Sequence, residues 1–141
     1  MPGRQPVLPK TILNHIKTLD DIWERLRVDA KLHAFMHELE RLAPQPARAT
    51  LSDDETLVGL EIIQLMENVF LDLRLDDFWD HPDNRGWAVV FMRWAGSSKP
   101  RKIWNRWPST FGIRFEYFLQ NAPWVHASRA QCARLALRRP F

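Results

Sequence analysis

The chain has 141 residues, one cysteine and a hydrophobic fraction of 45%. It is long enough to bury about two thirds of its unfolded surface as one domain, and it excludes a disulfide framework, a cysteine-built structural zinc site and wholesale disorder. The net charge of +3 is unevenly placed: residues 1–83 carry 9 Lys/Arg against 16 Asp/Glu, or −7, and residues 84–141 carry 11 Lys/Arg against Glu116 alone, or +10.

Such an asymmetry either neutralises itself where the two halves pack or offers a basic face to an anionic partner. No run of eighteen apolar residues exists. The most hydrophobic stretch, Leu57 to Leu75, is interrupted by Glu61, Glu67, Asp72 and Arg74, so no transmembrane segment is expected. The first ten residues show no apolar run after their charges and do not read as a secretory signal. The lone Cys132 favours a reducing compartment.

Residues 1–9, with Pro2, Pro6 and Pro9, read as an N-terminal arm. From Thr11 to Ala43 the periodicity is helical. Ile12, Ile16, Leu19, Trp23, Leu26 and Ala30 recur at three- and four-residue spacing, as do Leu32, Phe35, Met36, Leu39 and Leu42. Thr18, with Asp20 and Asp21 behind it, resembles an N-cap and predicts a helix restart there. Pro44 and Pro46 end the segment.

Ser52 with Glu55 three residues later forms a capping box ahead of an apolar run, and Asp53 and Asp54 add favourable charge at the positive helix end. In the helix that follows, Glu61, Gln64, Asn68 and Asp72 share one narrow polar side. Val58, Ile62, Leu65 and Val69 take a second face, and Ile63, Met66, Phe70 and Leu73 a third. A helix apolar over so much of its circumference belongs at the centre of a bundle.

Pro82 stops helical structure and holds His81 extended, leaving Asp83 or Asn84 to cap the next helix. That helix carries Trp87, Val90, Phe91 and Trp94 as a stripe. Arg93 is the only charge between Trp87 and Ala95, so burial demands a carboxylate partner, with Glu61, Glu67 and Asp72 the candidates. Gly96 ends the helix, Pro100 suits the first turn of a short helix through Trp107, and Ser109 or Thr110 caps a last one to about Asn121, with Phe111, Phe115 and Phe118 on one face. Residues 123–141 form a basic, alanine- and arginine-rich tail or helix. No period-two strand pattern is present. The fold class is all-α: an irregular bundle of five to seven helices around a buried central helix at about 53–75, within a single helical domain over 10–122.

Asp76-Asp77-Phe78-Trp79-Asp80 has DDxxD spacing, and Asp72, Asp76 and Asp80 align at four-residue steps if the helix runs on. The motif resembles the aspartate-rich motif of the isoprenoid and terpene synthases, which are all-helical. That resemblance implies a magnesium-dependent enzyme in which Asp76, Asp77 and Asp80 collect metal ions that hold a diphosphate, since hard magnesium takes oxygen ligands and bridges to phosphate. It covers these five residues, and no second metal motif accompanies it. The reading favoured here is a solvated acidic corner facing the basic half, with no metal site and no cofactor. His33 and His37, four apart with Glu38 and Glu40 nearby, have metal-compatible spacing but no HExxH order. No serine sits in a nucleophile elbow.

Lys99, Arg101, Lys102, Trp104, Arg106 and Trp107 interleave cations with amphipathic rings. The mixture suits an acidic protein surface, which takes arginine and tryptophan as anchors. It also suits an anionic membrane surface and single-stranded nucleic acid. These six are the candidate binding surface. The expected function is a soluble, non-enzymatic protein-interaction or accessory module. A protein partner ranks first, a membrane surface second and nucleic acid third. The expected location is cytoplasmic, with the cytosolic face of a membrane protein as an alternative.

Overall fold

The computed structural model describes residues 9–40, 50–106 and 111–121. Among them are seven α-helices and no strand: α1 (Pro9–Val28), α2 (His33–Glu40), α3 (Asp53–Leu73), α4 (Leu75–Phe78), α5 (Arg85–Gly96), α6 (Ser98–Arg106) and α7 (Ile113–Gln120). The all-α irregular bundle expected from the periodicity is the architecture found. The tail over 123–141, most of the N-terminal arm, Pro44, Pro46, Trp107, Ser109, Thr110 and Cys132 lie outside the described residues. No helix among the described residues is long and apolar enough to cross a membrane.

The central helix is α3. Ser52 Oγ accepts the Glu55 N–H at 3.1 Å, and Glu55 Oε1 accepts the Ser52 N–H at 3.0 Å, so both halves of the capping box are made. Behind this start, Val58, Ile62, Ile63, Leu65, Met66, Val69, Phe70 and Leu73 are all buried, while Glu61, Gln64, Asn68 and Asp72 face solvent. Gly59 makes one close approach possible, because a Cβ there would run into Ile103 Cδ1 of α6. The aromatic half of the core sits at the other end of α3. Phe70 lies 4.8 Å from Phe118 and 5.5 Å from Phe115 between ring centroids. Trp79 packs on Phe91 and Phe118, and Trp104 stacks on Phe111.

The helix α1 runs antiparallel to α3, since His15 meets Asp72 and Arg25 meets Glu61. It does not restart at Thr18, whose hydroxyl donates to the Asn14 carbonyl one turn back. The break comes at Asp29 instead. There the backbone is extended and the carboxylate accepts the Lys31 N–H, capping a 3₁₀ turn over Ala30–Leu32. A side chain that competes for local backbone donors interrupts helices in this way.

The central helix ends at Leu73, two residues short of the expected limit. Arg74 adopts φ 51°, ψ 54° and is the one non-glycine residue with positive φ among those described. That conformation costs an L-residue roughly 1–2 kcal/mol and sets α4 on a new axis. Pro82 then starts a 3₁₀ turn, with His81 Nδ1 accepting the Asp83 N–H. Asn84, one of the two residues expected to cap α5, occupies its N-cap position but without a side-chain capping hydrogen bond. It is fully buried and donates its amide to the Phe78 carbonyl at 3.0 Å.

Candidate functional site

Of the six residues expected to form a basic–aromatic surface, Lys99 does not belong to it. It is 7% exposed, and its ammonium is paired with Glu55, itself buried. The reason is the start of α6. Ser97 lies at the turn between α5 and α6. Its hydroxyl donates to the Arg93 carbonyl at 2.8 Å, and its carbonyl accepts the Arg101 N–H. Glu38, buried on α2, accepts both the Ser98 hydroxyl (2.6 Å) and the Lys99 N–H (2.7 Å) through one carboxylate oxygen. A carboxylate from another helix thereby caps the positive end of α6. α6 accordingly begins at Ser98, with Pro100 in its first turn.

The remaining members separate further. Arg101 and Arg106 are exposed, Lys102 is half-buried, and Trp104 is half-buried against Phe111 and Phe115. On the exposed side of the central helix, Glu61 takes Arg25, Glu67 accepts the Gly112 N–H at 2.6 Å at the start of α7, and Asp72 takes His15 at 2.6 Å. A buried ion pair joins Glu55, in the first turn of the central helix, to Lys99.

The DDxxD carboxylates do not converge. Arg74 turns the chain between Asp72 and Asp76, so the four-residue alignment is lost. Asp76 then pairs with Arg114 of α7 and Asp77 with Arg74, while Asp80 is exposed. The hydrogen bond that Arg114 donates to Asp76 holds the guanidinium above its ordinary pKa. His33 bonds the Arg27 carbonyl at 2.8 Å, His37 is exposed, and Glu38 is turned to α6. Among the described residues no group of three or more histidine, cysteine or acidic side chains could hold a metal ion.

An open groove of about 420 Å³ lies between the C-terminal half of α1 and the N-terminal half of α3. Its apolar lining is made of Leu32 and Val58, which are buried, and of Val28 and Leu57, which are 73% and 62% exposed. Its rim carries Glu24, Asp29, Asp54 and Glu61 against one cation, Arg25. Arg25 pairs with Glu61 across the two helices, and that hydrogen bond raises the guanidinium pKa from its usual value. Glu24 pairs with Arg27 within α1. Both pairs are about half exposed. Sequence reasoning missed this groove. Val28 and Leu57 fall outside the periodic stripes of α1 and α3, but so do Leu13, Ile22, Leu60 and Leu71, so periodicity alone does not single them out.

No family model, curated protein or solved structure matches the chain.

Proposed function

We propose that the chain is a non-catalytic protein-interaction module whose docking site is the groove between α1 and α3, filled by a helix of another protein. The observation that carries this reading is the exposure of Val28 and Leu57 within one concavity bordered by carboxylates. Covering one such aliphatic side chain contributes up to roughly 1.5–3 kcal/mol, so the two anchors supply part of the free energy of a reversible contact and the neighbouring carboxylates add to it. A helix is the occupant that fits, because both walls are helices with internally satisfied backbones and offer no strand edge to an extended peptide.

The DDxxD carboxylates give the magnesium-dependent alternative no geometric support, since Asp76 and Asp77 are paired with arginines. The exposed Arg101 and Arg106 leave α6 as a secondary surface for an anionic partner, a membrane or a nucleic acid. The single cysteine supports a reducing, cytoplasmic setting.

Site-specific photo-crosslinking in the producing cells tests the reading. A photoreactive residue at position 57 is expected to yield a discrete protein adduct, and one at position 105 on α6 none. Adducts from position 105 alone, whether to protein, lipid or nucleic acid, would move the function to α6 and overturn the groove assignment.

A further inference from the structure

We infer that the groove selects a basic amphipathic helix: one apolar stripe for the apolar lining, flanked by lysine or arginine for the rim. This inference rests on the groove being the docking site and adds the chemistry of its occupant. Four carboxylates and one guanidinium line the concavity. Glu61 and Glu24 already face Arg25 and Arg27, and one Asp29 oxygen takes the Lys31 N–H. Those ion pairs are about half exposed, so incoming cations can share or replace their partners at small cost. Asp54 lies in the first turn of α3 beside Asp53. Lining residues on α3 run from Asp54 to Glu61, about 10 Å along the helix axis at 1.5 Å per residue. That is two turns, which matches apolar residues at i, i+3 or i+4, and i+7 on the partner, with cations on either side of them. An acidic helix would meet like charge on both walls, and repulsion of that kind is how related surfaces reject wrong partners.

Fluorescence anisotropy of the full chain with three labelled synthetic helices tests this. All three carry the same leucine stripe and differ only in flanking residues: arginine, glutamine or glutamate. The arginine helix should bind at least about tenfold more tightly than the glutamine helix at low salt, with the advantage shrinking as salt rises over the range where the screening length falls below about 10 Å. The glutamate helix should not bind. Leu57→Gln should weaken the arginine helix by about tenfold, as truncation of a central apolar anchor does, and Asp54→Asn with Glu24→Gln should narrow the arginine-to-glutamine ratio. Circular dichroism confirms that each variant keeps its helices.

If the arginine and glutamine helices bind equally, and both are lost in Leu57→Gln, the groove stands as a docking site and charge selection is refuted. If no helix binds, the docking reading itself fails. Binding of the arginine helix that ignores Leu57→Gln would place it elsewhere and overturn the inference. So would self-association by light scattering that Leu57→Gln abolishes, because a second copy would then be the occupant.

Discussion

Replacing Lys99 by Met isolates the contribution of the buried pair at the start of α6. Methionine keeps most of the aliphatic volume and removes the ammonium, so Glu55 is left buried with its Oε2 facing no cation, while Oε1 still accepts the Ser52 N–H. The Glu38 contact goes to the backbone N–H of residue 99 and survives the substitution. Breaking a buried pair by removing one partner costs about 3–5 kcal/mol, because the remaining charge is stranded. With a urea m-value of roughly 2 kcal/mol/M, the denaturation midpoint should fall by about 2 M. Adding Glu55→Gln to Lys99→Met removes the stranded charge and leaves an acceptor for the cap, so the double variant should regain most of the loss. Urea titrations of the wild type, both single variants and the double variant form the complete cycle. A Lys99→Met cost below about 1 kcal/mol, or a double variant no more stable than Lys99→Met, would refute the claim that this pair is a desolvated, mutually dependent unit.

Phe70→Ala should cost about 3–5 kcal/mol in urea unfolding, because Phe70 is fully buried and packs against Phe115 and Phe118. A near-neutral result would remove it from the core. Gly59→Ala should destabilise by roughly 1–3 kcal/mol through overpacking against Ile103. Adding Ile103→Val, which deletes the offending Cδ1, should return part of that loss, and a cost unaffected by Ile103→Val would show that the clash is not the cause. Magnesium with inorganic diphosphate should leave the melting temperature unchanged, since Asp76 and Asp77 already pair with Arg114 and Arg74. A magnesium-dependent rise abolished by Asp76→Ala would restore the enzyme reading.

The central helix was legible because its signals are local. The Ser52–Glu55 box lies within one turn, and the apolar faces of residues 58–73 repeat along one element, so periodicity alone found Ile63, Met66 and Phe70. The stripe of Phe111, Phe115 and Phe118 was readable for the same reason. The helix breaks at Asp29 and Arg74 were not, since each depends on one residue adopting a non-helical conformation inside a helix-compatible pattern. Lys99 illustrates a different limit. Beside Arg101 and Lys102 it reads as part of a solvated basic face, and only the arrival of Glu55, 44 residues earlier, makes its burial possible. The groove was hidden because a concavity belongs to two helices, while Val28 and Leu57 are each unremarkable on their own.

The cap that Glu38 places on α6 has a consequence for the order of assembly. Glu38 is 60 residues before Ser98 and 61 before Lys99, so the donors at the start of α6 find their acceptor only after α2 and α6 have been brought together. An isolated nine-residue helix is below the length at which helices persist in water. α6 therefore has little independent existence, and its cap is expected to consolidate late in folding. Contacts made after the transition state leave the folding rate nearly untouched and act on unfolding. Glu38→Gln should accordingly accelerate unfolding in stopped-flow measurements while refolding proceeds at nearly the wild-type rate. Glu38 would then govern how long the native bundle lasts more than how quickly it forms.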